Sequence, residues 1–148
     1  MRQREPILHA NRIGVRRRHL AWQDDHYIGI EAAGTCFAAT PVSMGNPHVV
    51  IFQDPMDAQV DYSPKAIQAL DLARVGPVIE RHPAFKDRTN VHFAATHSRR
   101  EATMRTWERG SGITRACGTG ACAVLVAGVL TQRLARRATL HLPGGDLR

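Results

Sequence analysis

The hydrophobic and polar pattern of the first third of the chain is typical of short strands. Residues 7–22 alternate loosely, which is consistent with a strand. In residues 26–45, β-prone runs are separated by glycine, and the pattern predicts one or two strands with Cys36 in the second. A buried strand is predicted over residues 48–53, where the run "HVVIFQ" is largely apolar.

Two later segments carry helical patterns. Over residues 71–82, apolar residues recur on one side at helical spacing, and Asp71 is the expected N-cap. The dipeptide Gly76-Pro77 is expected to kink or weaken this helix. Residues 118–136 are apolar nearly all round at their start, which predicts a buried central helix. The arginines near the end of that segment suit a helix C-terminus.

The remaining segments complete the pattern of an α+β domain. Two strands are predicted at "TNVHFAATHS" and "EATMRTWERG", joined as a hairpin around Ser98-Arg99-Arg100. A closing strand is predicted at "ATLHL", and the turn at "PGG" asks for a partner strand that we do not find in the sequence. Residues 1–148 are therefore interpreted as a single domain whose end is incomplete.

The charge balance raises one alternative. The formal charge of +7 comes from 20 Lys and Arg residues against 13 Asp and Glu residues, and nearly all of the cations are arginine. Such a balance is also typical of a small basic nucleic-acid-binding protein. The arginines are scattered, however, and aromatic residues make up only 5% of the chain, so a base-stacking platform is not expected. We predict solvated arginine-bearing faces, no nucleic-acid partner, and compatibility with an anionic small-molecule substrate.

Cysteine usage and hydropathy exclude several classes of protein. The three cysteines form no Cys-x-x-Cys pair, which argues against a disulfide framework and against a zinc site, so no metal is expected. No apolar stretch reaches the roughly 18 residues of a membrane-spanning helix, so no membrane partner is expected. The first residues lack the apolar core of a signal peptide, and a cytoplasmic protein is predicted.

The strongest chemical signal is a glycine-rich turn, "ACGTGACA", at the start of the predicted central helix. The first N–H groups of a helix are unpaired and carry partial positive charge, so they can hold a carboxylate. Gly118 and Gly120 would let such a ligand approach the backbone closely. A helix N-terminus also favours the thiolate form of a cysteine, which makes Cys117 a candidate reactive thiol. The alternative is a glycine loop with a buried cysteine, and the lysine of a phosphate-binding loop is missing.

Two further stretches carry polar residues that can face the same cleft. In "SMGNPHVVIF", Asn46 lies in a turn and His48 lies at the mouth of the buried strand. In "WERG", Glu108 and Arg109 shortly precede the glycine turn. Taken alone, such residues are more often a turn former, a satisfied polar side chain and a surface ion pair.

Together, four motifs resemble those of the diaminopimelate epimerase family. They are "MGNPHVVIF", "FKDRTNVHF", "WERGSGITRACGTGACA" and "LPGGDL", which cover roughly residues 40–147 in the family's order. The resemblance implies one domain with a mostly antiparallel curved sheet or barrel around the central apolar helix. It also implies an isomerase that interconverts LL- and meso-diaminopimelate in lysine biosynthesis without pyridoxal phosphate, metal or another cofactor.

The resemblance implies roles for the residues of the glycine turn. In the family, two cysteines flank the α-carbon of the substrate, one removing a proton and the other delivering a proton to the opposite face. Cys117 would be the member of this pair that accepts the proton. Gly118 and Thr119 would hold the α-carboxylate through their backbone N–H groups. Cys36 and Cys122 are interpreted as core residues.

The other implied site residues precede the glycine turn. Asn46, Asn90 and Arg109 would grip the distal amino-acid end of the substrate, and Arg109 is suited to a bidentate carboxylate contact. Glu108 would contact the α-ammonium group. His48 would tune the site.

The sequence departs from the family in one respect. The family has two similar domains, each with a glycine-rich cysteine turn, and the Cys-Gly-Asn-Gly motif of the first domain is absent here. The chain therefore resembles the second, C-terminal domain, truncated at both ends, and is expected to carry half of the site. The missing first domain or a homodimer partner would supply the second cysteine. The alternative is an inactive fragment, or an amino-acid-binding module that keeps only the N–H groups that hold the carboxylate.

Overall fold

The computed structural model describes residues 13–53, 64–115 and 117–148. The part of the loosely alternating first segment that precedes residue 13 lies outside the described residues. Within them are nine strands, three helices and a 3-10 turn at Arg17–His19. The predicted α+β class is confirmed.

Most predicted strands and helices are present close to their expected positions. The strands are β1 (Trp22–Gln23), β2 (Ile28–Ala32), β3 (Thr35–Ser43), β4 (Pro47–Phe52), β5 (Asn90–Ser98), β6 (Glu101–Glu108), β7 (Gly112–Thr114), β8 (Thr139–Leu142) and β9 (Gly145–Leu147). The helices are α1 (Pro64–Ala69), α2 (Leu72–Glu80) and α3 (Gly118–Leu130). The predicted hairpin is formed by β5 and β6, which pair antiparallel on either side of Arg99 and Arg100.

The nine strands form one sheet in the order β1-β2-β3-β4-β5-β6-β8-β9, with β7 paired to the end of β6. Six of the pairings are antiparallel. Two are parallel, β4 with β5 and β6 with β8. The predicted mostly antiparallel sheet is confirmed, and it stays open instead of closing into a barrel.

The sheet is buried on both faces. Along β4, Val49 and Ile51 belong to the core that also contains residues of α1 and α2. Val50 and Phe52 point the other way and belong to the core that contains residues of α3. This alternation is the period of two that a strand imposes on its side chains. Among the described helices, only α3 contributes to this second core, which agrees with the central position predicted for it.

The helix α3 begins as predicted but ends at Leu130 instead of residue 136. Gln132 has a φ of +60°. Its N–H donates to the carbonyl of Val129 at 3.1 Å, and the N–H of Arg133 donates to the carbonyl of Gly128 at 2.7 Å. These two bonds form a Schellman motif, which ends the helix. The arginines expected at its C-terminal end therefore lie in the connection to β8.

The helix α2 matches the other predicted helix. Asp71 is at the N-cap position, as predicted, but its side chain makes no capping hydrogen bond. Its carboxylate lies 3.8 Å from Nε of Arg74 instead. Pro77 lies inside the helix, which continues beyond it. Gly76 lets the indole of Trp107 pack directly on the helix, because a Cβ at Gly76 would lie 2.5 Å from Trp107 Cγ.

The expectation that no partner strand follows the last turn was wrong. The strand β9 pairs antiparallel with β8, with Leu140 opposite Leu147 and Leu142 opposite Gly145. A 2.7 Å contact between His141 Nδ1 and Asp146 Oδ1 joins the same two strands. The sequence signal was weak because β9 is three residues long and every one of them is exposed.

The interpretation of Cys36 as a core residue was also wrong. Cys36 is exposed, because it lies in the part of β3 next to the β2–β3 turn, where the strand is open to solvent. Cys122 lies on α3 and is half-buried. Of the three thiols, only that of Cys117 is buried.

Candidate active site

The predicted reactive cysteine is the N-cap residue of α3. Cys117 has extended backbone angles, and its Sγ accepts a hydrogen bond from the N–H of Gly120 at 3.2 Å. The hydroxyl of Thr119 lies 3.8 Å from the same sulfur. Among the described residues, the N–H groups of Gly118 and Thr119 have no partner, and both residues are exposed. The first turn of α3 therefore offers two free N–H donors beside a buried thiol.

Gly120 brings a second buried side chain to the thiol. A Cβ at this position would lie 2.4 Å from Cε1 of His92 and 2.9 Å from Sγ of Cys117. Both atoms therefore crowd the same point, and only a glycine leaves room for them. The imidazole of His92 is therefore a neighbour of the candidate reactive thiol, and His92 was not among the site residues predicted from the sequence.

His92 is one member of a buried chain of polar side chains. His48 Nδ1 and His92 Nε2 are 2.8 Å apart. His48 Nε2 lies 2.9 Å from Oδ1 of Asn46. At the other end, His92 Nδ1 lies 2.8 Å from Oγ1 of Thr106. The two imidazole rings are stacked, with centroids 5.1 Å apart.

Both histidines of this hydrogen-bonded series, His48 and His92, are neutral at physiological pH. Burial, with a smaller contribution from the positive charge of Arg109, lowers the pKa of His48 to about 4. Burial also holds the pKa of His92 well below its ordinary value, with a smaller contribution from His48. A neutral imidazole has one N–H donor and one nitrogen acceptor, so each ring can take part in one directional chain.

Asn90 connects two of the predicted motifs. Its Nδ2 donates to the carbonyl of Pro47 at 3.0 Å. Its Oδ1 accepts from the backbone N–H of Arg109 at 2.8 Å. Asn90 is 3% exposed, and its two hydrogen bonds hold the "GNPH" and "ERG" segments together. Its contact with substrate stays a prediction.

Glu108 and Arg109 lie at the end of β6, next to this junction. The guanidinium of Arg109 donates from Nη1 to the carbonyl of Asp87 at 2.9 Å. The carboxylate of Glu108 is half-buried and has no hydrogen-bond partner or ion-pair partner in the described part of the chain. The two side chains do not form the surface ion pair that was the simpler interpretation of the dipeptide.

The structure thus joins most of the predicted site residues through direct contacts. Asn46 and His48 connect through His92 and Gly120 to Cys117, and Asn90 connects the same strand end to Arg109. The sequence did contain a signal for His92. It alternates with Val91 and Phe93, which both face the other core, so a period of two places it on the α3 side of the sheet.

Other features of the described residues add no competing site. A cavity of about 750 Å³ is lined by residues that include Thr103, Arg105, His141 and Leu142, and it contains none of the predicted site residues. No group of three or more metal-ligating side chains occurs in residues 13–53, 64–115 and 117–148. In the same ranges, none of the helices has the length and apolarity needed to cross a bilayer.

The combination of groups suits proton transfer beside a carboxylate. A thiol can take or give a proton, the free N–H groups of a helix N-terminus can hold an anion, and the buried imidazoles are polar without adding charge. The glycine turn lacks the lysine with which a phosphate-binding loop contacts phosphate.

Comparisons with known proteins point to one family. The family model for diaminopimelate epimerase matches residues 40–148. A diaminopimelate epimerase of Desulfitobacterium hafniense is 48% identical over 97% of this chain, and the match covers 46% of that protein. Enzymes of the same name from Synechococcus sp. (strain JA-3-3Ab) and Parabacteroides distasonis are each 48% identical over 80% of this chain. These two matches cover 39% and 40% of the relatives' lengths.

The chain spans less than half the length of these curated relatives, and the range matched by the family model includes the motifs that surround Cys117. The match extends over most of the sheet and all of α3, so it covers the elements that hold the thiol, the paired histidines and Arg109 in place. On this evidence, the chain belongs to the diaminopimelate epimerase family.

Proposed function

We propose that this chain carries one half of the active site of an enzyme that interconverts LL- and meso-diaminopimelate. The observation that carries the proposal is the position of Cys117, whose buried thiol caps α3 next to two unpaired N–H groups. An α-carboxylate held by these N–H groups would place the α-carbon of an amino acid close to the sulfur. The names of the relatives supply the identity of the substrate.

The proposed reaction moves one proton off the α-carbon and one proton onto it. The thiolate of Cys117 takes the α-proton, the electron pair stays on the carbon and its carboxylate, and a second thiol delivers a proton to the opposite face. The N–H groups of Gly118 and Thr119 would stabilise the charge that develops on the carboxylate. The reaction as proposed needs no cofactor.

The remaining residues would bind the two ends of the substrate. Asn46, Asn90 and Arg109 would hold the distal amino-acid group of the substrate. The Nη2 of Arg109 has no hydrogen-bond partner among the described residues, so it would be available for this contact. Glu108 would pair with the α-ammonium group, since its carboxylate is unpaired and half-buried. His48 would act on the site as a neutral polar group.

The second thiol is proposed to come from another domain or another copy of the chain. Cys36 is exposed on the β2–β3 hairpin, and Cys122 lies on the same helix as Cys117, so neither is assigned this role. We propose that a first domain of the kind present in the longer relatives supplies it, with a homodimer partner as the less favoured source. Lysine biosynthesis in the cytoplasm is the proposed setting.

Exchange of the substrate α-proton tests the proposal. The chain is incubated with LL- or meso-diaminopimelate in deuterated water with a reducing agent, and deuterium at the α-carbon is followed by NMR. We expect Cys117→Ala to abolish exchange and Cys36→Ala, which removes an exposed thiol, to leave it unchanged. Adding a separately produced first domain of a relative is expected to convert exchange into inversion.

The alternative is an amino-acid-binding module without catalysis. It predicts no exchange in any of these samples, together with saturable diaminopimelate-dependent shifts of the Gly118 and Thr119 amide signals. A folded chain that shows neither exchange nor such shifts, with and without the added domain, would contradict both functions.

A further inference from the structure

We propose that His92 is a positioning residue: together with Thr106 it fixes the tautomer of His48 and, through His48, the orientation of the Asn46 amide. What that amide then binds rests on the function proposed above. The hydrogen-bonded chain itself does not depend on it.

The series of hydrogen bonds runs across three neighbouring strands. Thr106 lies directly opposite His92 in the β5–β6 pair. His92 contacts His48 on β4, and His48 contacts Asn46 in the turn before β4. All three links measure 2.8 or 2.9 Å between their polar atoms, which is within the range of good hydrogen bonds. His48 is 1% exposed and His92 is fully buried, so water does not compete for the links between them.

The donor and acceptor of each hydrogen bond in this series follow from the last link, at Asn46. The atom that faces His48 is Oδ1, which can only accept, so Nε2 of His48 carries the proton. Because the ring of His48 is neutral, its Nδ1 is an acceptor, and Nε2 of His92 must donate to it. The ring of His92 is neutral too, so its Nδ1 accepts from the hydroxyl of Thr106. One set of proton positions satisfies all three links.

This direction determines what Asn46 presents to the cleft. With Oδ1 held by His48, the Nδ2 group points away from the imidazole, and Asn46 is only half-buried. The site therefore offers a donor, not an acceptor, at this point. A donor suits the carboxylate of the distal amino-acid group of the proposed substrate.

The surroundings allow few other arrangements. Gly120 of α3 packs on the His92 ring, so the ring cannot tilt towards the helix without a clash. The charged group that acts on His48 is Arg109, which disfavours a protonated imidazole. Without His92, Nδ1 of His48 would have no donor, and the ring and the Asn46 amide could each turn over.

The test reads the proton positions directly by NMR of the full chain, without substrate. In a sample with ¹⁵N-labelled histidine and asparagine at pH 7, we expect both rings to be neutral with the proton on Nε2. We also expect a ¹⁵N–¹⁵N coupling across the hydrogen bond between His92 and His48. A proton on Nδ1 of either ring, or a charged ring, would overturn the proposal.

Two variants test the positioning role. In His92→Phe the side-chain amide signals of Asn46 are expected to shift and broaden. In His92→Gln they are expected to stay close to wild type, because the Gln amide can donate to His48 from a similar position. His97→Gln, which replaces an exposed histidine on the same strand whose Nε2 lies 2.7 Å from the hydroxyl of Thr103, is the matched control and should leave these signals unchanged. Unaltered Asn46 signals in His92→Phe would refute the role.

The same samples separate this proposal from the proposed function. If the wild-type chain shows the expected tautomers but binds no diaminopimelate, the function fails and the positioning chain stands. If diaminopimelate binds and the binding affinity of His92→Phe equals that of wild type, the function stands and the positioning role fails. An affinity loss of about tenfold in His92→Phe, restored in His92→Gln, is the result we expect.

Discussion

Two glycines of one turn serve different purposes at the residue scale. At Gly118 the space where a Cβ would lie is empty to 4 Å, so the backbone N–H is open to a ligand. At Gly120 the same space is filled by His92 and Cys117. The glycine-rich sequence suggested close ligand approach at both glycines, and that purpose fits Gly118 only. The partner of Gly120 lies 28 positions away in the sequence (120 against 92), on a different element, so no local pattern could reveal it.

Alanine substitution should separate these purposes. We expect Gly120→Ala to lower the free energy of unfolding by about 1–3 kcal/mol, because the methyl group forces His92 or Cys117 to move. Gly118→Ala is the matched control, and its effect should stay within about 0.5 kcal/mol. Urea unfolding followed by circular dichroism measures both. Equal losses in the two variants would show that Gly120 is not crowded.

The buried histidine pair should make the fold sensitive to acid. Burial lowers the pKa of His48 to about 4 and that of His92 well below its ordinary value. The unfolded chain takes up protons at these rings below about pH 6.5, while the folded chain does not. Stability is therefore greatest above pH 6.5 and is lost as the pH falls towards 4, by about 2 kcal/mol at pH 5 for His48, with a loss of the same sign from His92.

Unfolding at several pH values checks this sign. We expect the free energy of unfolding to fall between pH 7.5 and pH 5.5, and His92→Gln to fall less steeply because it has one fewer buried imidazole. His26→Gln, which replaces an exposed histidine, should follow the wild-type curve. A wild-type stability that is flat or rising on acidification would contradict the assignment of two buried neutral rings.

At the scale of elements, strands were easier to predict than helix ends. The run "HVVIFQ" was recognised as a strand because it is largely apolar. The two segments around Arg99 and Arg100 were recognised because β-prone residues occur in each and polar turn residues separate them. The end of α3 was missed because the residue with positive φ is Gln132, whereas glycine is the usual signal for a helix stop. Apolar Leu134 then continued the helical pattern, although it lies beyond the helix and is buried against Gly128.

The Schellman motif predicts that a glycine at position 132 would stabilise the fold. Gln132 has a left-handed backbone, which is unfavourable for a residue with a Cβ. We expect Gln132→Gly to raise the free energy of unfolding by about 1 kcal/mol, the strain relieved exceeding the added entropy of the unfolded chain. The same change at exposed Gln68 in α1 should lower it by about 1 kcal/mol. Thermal unfolding of both variants measures the two signs, and a loss at position 132 would contradict the strain.

At the scale of the whole molecule, the positions of the helices follow from the directions of the strands. The connections from β4 to β5 and from β6 to β8 both join parallel neighbours and both advance the same way across the sheet. Because β4 and β6 run in opposite directions, two crossovers of the same hand must lie on opposite faces. The two cores lie on opposite faces accordingly. The sequence predicted α2 and α3 but neither α1 nor this division, since strand order and register depend on contacts between distant segments.

Two cores separated by one sheet should respond independently to substitution. Ile79→Val in the first core is expected to lower the free energy of unfolding by about 1 kcal/mol, and Val124→Ala in the second by about 2 kcal/mol. The double variant should lose the sum, within about 0.5 kcal/mol, because the two side chains belong to separate cores. Phe37→Leu and Phe93→Leu form the control pair, since these rings are in edge-to-face contact with centroids 5.9 Å apart. That pair should deviate from additivity, and a deviation of equal size in the first pair would contradict separate cores.

The chain of contacts that links Thr106, His92, His48 and Cys117 also determines when the site can come into existence. The β5–β6 hairpin is a local structure and can bring His92 to Thr106 early. His48 joins them only after the parallel pair has closed the connection between β4 and β5, and the sulfur joins only after α3 has docked on the other face. During folding, Cys117 therefore reaches its buried position beside His92 only when the last long-range contacts form, and the proposed site exists only in the folded molecule.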